Sequence, residues 1–478
     1  MTKSDREFSD QLGVFDAGGA VPHKSREGLG TVREPARDIP VFATTDVLLV
    51  GGGPAGTAAA VGAARTGASV VLAERYNHLG GLATGGLVIW IDRMTDWSGN
   101  HVIKGVAEEL LDRLPKDAIL GPPKEHWGSR DESVVKQWDK RYSAFRGVVT
   151  WAPMIDPEWL KLETLNMVLE SGVDLLLHTW MAAPIVEDGV LKGAIFESKE
   201  GRRAVLAKTV VDTTGDGDMY AQSGADYEGD IEGDHIHHCA NTAFLWAGVD
   251  IPRWFRFQDE EPEGFREFMA KGREETGNFI LPMPAWRDDV VVFMGPRFSG
   301  FSVTDVDDLT AVEIVSREAL VKLLDYYRKA APGFENAWVM LTAPQLGARH
   351  SRRLKGVTMM TGEAWKTGVV HSDEVGISPP LGPNFPNVSV PYGSLLPTEV
   401  DNLLVAGRHM ATDSQTHTFM REVPQCWLTG HAAGIAAALS VGADVAPRDL
   451  EVRGLQSELR KQGAHLRPEE ELESVAAE

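Results

Sequence analysis

Four apolar residues, Val47-Leu48-Leu49-Val50, run into Gly51-x-Gly53-x-x-Gly56 and then directly into an alanine-rich stretch. No other feature restricts the fold of this chain as strongly. The apolar run predicts a strand buried on both faces, as in a parallel sheet. Gly51 suits a tight turn, and Gly53 lets a pyrophosphate approach the backbone. Gly56 lets strand and helix pack closely, and the helix that opens at Pro54-Ala55 aims its N-terminus at the phosphates. The pattern continues through Ala60 and Gly67 to a second strand, Ala68 to Ala73, closed by Glu74. An acid at that separation is placed to accept hydrogen bonds from a ribose. The glycines alone would say little. A strand before them, a helix after them and an acid at the next strand end together predict a dinucleotide site.

The chain has 478 residues, more than one simple core accommodates, so two closely joined domains are expected. Its apolar runs read as shorter than a membrane span, and Met1 to Glu7 carries no apolar signal region. Cys239 and Cys426 make neither a CxxC pair nor a zinc framework. No metal is expected, and a reducing, cytoplasmic setting is. A net charge of −22 argues against a nucleic-acid backbone or an anionic membrane as partner, and solubility alone accounts for it.

Residues 1–40 mix charge, glycine and proline without periodicity, as an N-terminal extension that is either loose or a strap across the surface. After Arg75 comes His78-Leu79-Gly80-Gly81-Leu82-Ala83-Thr84, so rich in small residues that its backbone is expected against a ligand. Gly105 to Leu114 and Pro157 to Glu170 read as helices, the latter with Asp156 as N-cap. Strands are predicted at Val173 to His178, Leu191 to Glu197 and Ala204 to Val211. The last runs into Asp212-Thr213-Thr214-Gly215-Asp216-Gly217-Asp218, a turn that returns the chain toward the dinucleotide. Residues 226–340 lose this character and read as an inserted substrate domain. Trp127, Trp138, Trp151 and Trp159 read mainly as packing, with a pocket as the alternative. A third short strand ends at Ala406-Gly407-Arg408, and a small-residue helix follows from about Gln425 to Leu439, containing Gly430, Ala432 and Gly434. The tail, 446–478, reads as a helix and then an acidic end that frays.

Three separated segments converging on one dinucleotide resemble the FAD-dependent oxidoreductase family of the glutathione-reductase-like Rossmann flavoproteins. The resemblance rests on Gly51 to Gly56 with Glu74-Arg75, on Leu79-Gly80-Gly81-Leu82 with Thr84, and on Asp212 to Asp218. It extends to Gln345-Leu346-Gly347-Ala348-Arg349-His350-Ser351-Arg352-Arg353, Pro391 to Pro397, Asn402 to Arg408, and Met420-Arg421 with the helix after it. His350 stands where the family usually carries Glu. The resemblance implies an α/β fold: a Rossmann-type FAD-binding domain with a central parallel sheet, formed by 41–225 and 341–445, plus an inserted α+β substrate domain at 226–340. It implies FAD as cofactor, its adenosine at Glu74-Arg75 and its pyrophosphate at Gly53 to Gly56. Gly80, Gly81, Leu82, Thr84, Gly215, Asp216, Gly407, Arg408, Gly430 and Ala432 then belong to its site. The last helix, near Pro424 to Gly430, would aim its positive end at the flavin.

Hydride transfer to a flavin needs a nearby proton acceptor, and near neutral pH histidine is the natural one. His417 with Arg421, and His350 with Arg349 and Arg353, are the candidate catalytic groups. Arg349 or Arg353 would hold a substrate carboxylate. His235, His237 and His238 before Cys239 admit three readings: metal, pocket or structural. Tyr392 is a lesser pocket candidate. There is no second GxGxxG for a nicotinamide domain. The expected activity is a dehydrogenase, oxidase or reductase acting on a small organic substrate, with oxygen, a quinone or a carrier protein as electron acceptor. A flavin monooxygenase fed by free NAD(P)H and a non-catalytic dinucleotide-binding protein are the alternatives. Assembly into a homo-oligomer is left open.

Overall fold

The computed structural model describes residues 14–16, 28–229 and 239–477. Its organising layer is a sheet built on Val41–Val50. Val70–Ala73 and then Asp174–Leu176 lie to one side and Gly201–Asp212 to the other, all parallel. Gly201–Asp212 uses its far edge twice. Its first half pairs antiparallel with Val190–Ser198, which pairs with Trp180–Glu187, and its last three residues pair parallel with Leu403–Val405. Asp212 is therefore in register with both Val50 and Val405, and three distant segments leave the sheet at one end. That end of an open parallel sheet is where ligands bind.

The apolar run is explained by burial on two sides. Val47 and Leu49 enter a core shared with the helices Pro54–Arg65 and Val423–Ala443, whereas Leu48 and Val50 enter a second core with Val210, Leu403 and Val405. The two helices lie against each other with almost no side chain between them. A Cβ on Gly430 would stand 2.1 Å from the Ala55 carbonyl oxygen, and one on Gly434 2.0 Å from that of Ala59. Glycines four apart on one helix thus meet residues four apart on the other, as 3.6-residue periodicity requires.

Beyond this layer, Phe244–Ala247 and Val290–Phe293 are the inner strands of an antiparallel sheet edged by Trp338–Thr342 and Met283–Pro284. The helices Ile251–Glu260, Pro262–Thr276 and Val306–Ala330 accompany it, and an aromatic cluster fills the space between. In that cluster the rings of Trp246 and Phe293 are 4.4 Å apart and those of Trp254 and Phe334 5.1 Å. A smaller sheet joins Val14–Asp16, Arg297–Ser299, Cys239–Asn241 and Gly347–Ala348, so part of the N-terminal extension is a strand.

Two sequence expectations are corrected here. The acidic end continues as the helix Glu469–Ala477, because Leu472 is buried and Arg467 is anchored on the carboxylate of the fully buried Glu374. The apolar runs also reach further than read. Val423–Ala443, with 21 residues, is long and apolar enough to cross a membrane, but it is mostly buried against the glycine-loop helix and serves as a core element.

Candidate active site

The glycine turn is shaped by backbone geometry that only glycine supplies cheaply. Gly51 sits at φ +106°, and a Cβ there would meet the Thr213 carbonyl oxygen at 2.5 Å. Thr213 ties the second segment onto the first, its Oγ1 donating to the carbonyl oxygens of Val50 (3.0 Å) and Gly51 (2.7 Å). Gly53 is the N-cap of Pro54–Arg65 and offers no side-chain cap, so the helix presents amides that only a ligand or water can claim. The early loop closes over this turn. Gly80 N–H donates to the Gly52 carbonyl (2.9 Å), and Gly81 sits at φ +48° with its would-be Cβ 2.8 Å from Gly53 Cα.

These elements wall an elongated cavity. At one end Glu74 accepts from the backbone N–H groups of Gly52 (2.6 Å, Oε2) and Tyr76 (2.8 Å, Oε1). Arg75 lies between the rings of Tyr76 and Trp180, 5.1 and 4.8 Å from their centroids. In the middle, Gly215, Asp216, Gly407 and Arg408 form one interlocked group, with Arg408 Nη2 donating to Asp216 Oδ1 at 2.6 Å. Burial alone would raise the Asp216 pKa, but Arg408 and then Arg75 outweigh it and hold the carboxyl below its ordinary range. Gly407, at φ +102°, brings its backbone against Ala55 at the helix start. Leu82, Val88, Trp90 and Met294 add apolar wall to the same cavity, and Arg297, Arg349 and Arg421 add cationic wall.

Most predicted site residues meet here: Gly51, Gly53, Pro54, Ala55, Glu74, Arg75, Gly81, Leu82, Gly215, Asp216, Gly407, Arg408, Arg349 and Arg421 all line the cavity. Others stand behind its wall. Gly56 is pressed on the strand, where a Cβ would be 1.8 Å from the Gly51 carbonyl oxygen. Gly80 and Thr84 shape the early loop, Thr84 Oγ1 donating to the Leu79 carbonyl at 2.7 Å. Gly430 belongs to the helix-helix contact and Ala432 is fully buried in the core, and it is the start of that helix, Glu422, Val423 and Cys426, that reaches the cavity.

The expected histidine base is also displaced. His350 and His417 are buried with rings edge to face, 4.8 Å between centroids, and neither lines the cavity. Arg353 is buried in an ion pair with Glu228. Tyr392 is buried with its hydroxyl on the Pro447 carbonyl (2.7 Å). Trp127 and Trp151 stack on each other, at 4.9 Å, away from the cavity. His235, His237 and His238 lie outside the described residues, as does the side chain of Cys239. Among the described residues no histidine lines the cavity, and no cluster able to hold a metal is present. Burial pushes the Cys426 thiol up to about 12, which removes it as a nucleophile. Trp180, Asn241, Gln345 and Glu422 are wall residues that the sequence reading missed. Trp180 opens the strand Trp180–Glu187, whose continuous apolar run from Trp180 to Val186 was the available signal.

FAD fits this frame. A helix start without a side-chain cap suits the pyrophosphate, the Glu74 carboxylate suits the ribose, and the remaining lining offers apolar and cationic wall for a ring and a substrate. Glu74→Ala is expected to weaken FAD binding about tenfold to a hundredfold, since it removes a buried charged acceptor worth roughly 1.5–3 kcal/mol. Fluorimetric titration of apoprotein with FAD reads this, and an affinity equal to wild type would remove Glu74 from the site.

Comparison with known proteins agrees with the geometry. The profile described as FAD dependent oxidoreductase matches residues 46–379 and 382–459. A digeranylgeranylglycerophospholipid reductase of Methanoculleus marisnigri is 24% identical over 237 residues, 48% of this chain and 53% of that protein. The chain thus matches about half the length of that curated relative. Among solved structures, a geranylgeranyl bacteriochlorophyll reductase-like protein from Thermoplasma acidophilum is 14% identical, with TM-score 0.44 over 91% of this chain and 88% of that one. A p-nitrophenol 4-monooxygenase from Pseudomonas putida is 11% identical, with TM-score 0.41 over 88% and 85%. The matched residues include all three segments that wall the cavity, and the chain belongs to the FAD-dependent oxidoreductase family: it is a flavoenzyme that uses FAD.

Proposed function

We propose that this enzyme moves a hydride between its flavin and a carbon of a small organic acid, with the acid group of the substrate held by Arg349. The observation that carries this reading is Arg349 itself. It lines the cavity together with the apolar residues Leu82, Val88 and Trp90, and it pairs with no carboxylate of the described residues. A half-buried cation in a cavity that Leu82, Val88 and Trp90 also line calls for an anion carried on an apolar body. Bound FAD supplies the hydride acceptor or donor.

The chain's own residues bind, orient and keep out water. Leu82, Val88, Trp90 and Met294 exclude solvent from the reacting carbon. Glu422 is on the same wall, its Oε1 2.9 Å from Arg421 Nη2, and is the group we assign to proton transfer in place of the displaced histidines. With one dinucleotide fingerprint in the chain, electrons are taken to exchange with oxygen, a quinone or a carrier protein.

Arg349→Met tests the reading. Loss of a charge-assisted contact is expected to raise KM for the acid about tenfold to a hundredfold, with a smaller change in kcat. An anaerobic screen of organic acids for bleaching of the flavin first finds the substrate. Identical KM values for the substrate in wild type and Arg349→Met would defeat the proposal.

A further inference from the structure

A second cavity lies apart from the first and shares no wall residue with it. Four remote pieces of chain build it: the loop 96–104, the segment around Lys124 and Trp127, Asn387 before the strand Val388–Pro391, and His465 between the last two helices. Gly105 makes the junction possible. It sits at φ +68°, and Gly463 packs on it, with a Cβ on Gly463 only 3.5 Å from Gly105 Cα. Lys104 and His465 are thereby brought to the same wall.

The charges on that wall are poorly matched by the protein itself. Lys104 and Lys124 both line it, and neither pairs with a carboxylate of any described residue. This happens in a chain with 69 acidic residues against 47 basic ones, where counter-ions are plentiful. The single carboxylate on the wall, Asp96, is already taken. It accepts from the backbone N–H groups of Ser98 and Asn100 (both 2.9 Å), from Asn100 Nδ2 (3.0 Å) and from Asn387 Nδ2 (3.1 Å). That arrangement also fixes the two amides, each with a second N–H still to donate.

The imidazoles register the same excess. His101 is wedged edge-on against Trp127 and Trp151, with Nδ1 3.1 Å from Glu108 Oε1, and its Nε2 is buried without a hydrogen-bond partner. Burial, then Lys104, hold its pKa down to about 4, and Lys124 adds to this. Burial, then Lys104 and Arg467, lower that of His465, against the pull of Asp96. Burial is the larger cause at both rings and the lysines add to it, while Asp96, already hydrogen-bonded, leaves Lys104 and Lys124 uncompensated.

We propose that this cavity is a second ligand site, taking a small doubly charged oxyanion between Lys104 and Lys124, with the amides of Asn100 and Asn387 donating to it. The shared chemistry is two negative charges on compact oxygens, whether from a phosphate or from a dicarboxylate.

Calorimetric titration of the flavin-loaded enzyme with inorganic phosphate and, separately, with succinate tests this, at an ionic strength held constant with sodium chloride. At least one of the two is expected to bind saturably. Lys104→Ala/Lys124→Ala is expected to weaken that binding about tenfold or more, two charge-assisted contacts being lost, while the flavin spectrum stays that of wild type. Lys124→Glu, at an exposed position, gives a second reading should the double variant lose its flavin, and it too is expected to abolish saturation. Phosphate binding alone would assign a phosphate site, and succinate binding alone a dicarboxylate site. No saturable heat with either anion, or equal affinity in wild type and Lys124→Glu, would overturn the inference.

Discussion

Gly56→Ala is expected to leave a chain that holds FAD about a hundredfold more weakly and unfolds several degrees earlier. The added methyl has nowhere to go. Its carbon would stand 1.8 Å from the Gly51 carbonyl oxygen, a backbone atom of the turn, and 2.8 Å from Thr213 Oγ1, a short side chain held by its bonds to the Val50 and Gly51 carbonyls. The helix Pro54–Arg65 must therefore lift from the strand Val41–Val50 by more than an ångström. Overpacking of this kind costs about 1–3 kcal/mol. The same displacement swings the helix start away from Gly53 and Gly81, which are the close approach built for the phosphates. A loss of roughly 2.7 kcal/mol in cofactor affinity is the hundredfold named above. The flavin-to-protein ratio after gel filtration and the thermal midpoint of the apoprotein measure the two effects separately. A Gly56→Ala protein with wild-type flavin content would mean that the strand and helix are not pressed together as described.

Gly56 also marks what could be read from the sequence. Strand, glycine turn, helix and acid are consecutive, so their physics is local, and all four lie where the spacing put them. Small residues further along were ambiguous for a physical reason. A glycine announces that something comes close without saying what. Gly430 and Ala432 were read as making room for a cofactor, but another helix's backbone fills the room at Gly430, and Ala432 is buried in the core. The histidines failed for a different reason. His350 and His417 sit in the right motifs, but whether a side chain meets a cavity or its neighbour depends on tertiary packing, and here the two rings pack edge to face on each other. Arg349 and His350 are adjacent in sequence, yet the first lines the cavity and the second is buried outside its lining. The second cavity had no local signature at all, since its four pieces meet only through the fold.

Acid is expected to destabilise the protein between pH 6.5 and 4, and His431 is expected to account for about 3 kcal/mol of that loss. His431 lies in the long apolar helix, 2% exposed, against Gly62 of the glycine-loop helix and the Gly105 turn. Its Nε2 is 3.1 Å from Gln462 Oε1. Burial holds its pKa down to about 4, and nearby Arg65 adds to this while Gln462 opposes it. In the unfolded chain the same group titrates near 6.5. Between those values the unfolded state binds a proton that the folded state refuses, so stability rises with pH and falls as the solution is acidified. The contribution is intact above pH 6.5. It shrinks by about 1.4 kcal/mol for each unit below, until the folded state also takes the proton near pH 4, a total of about 3 kcal/mol. His78 and His101, each held down to about 4 chiefly by burial, slope the same way, so wild type alone does not isolate His431. The comparison that does is His431→Gln against wild type, by denaturant unfolding at pH 7.5 and pH 4. Whatever the variant loses in packing is present at both pH values, and the difference between the two proteins should move by about 3 kcal/mol in favour of the variant at the lower one. A difference that stays constant across the window would show that His431 takes up its proton in the folded state as readily as in the unfolded one, and that the contact between the two core helices is not closed to water at that point.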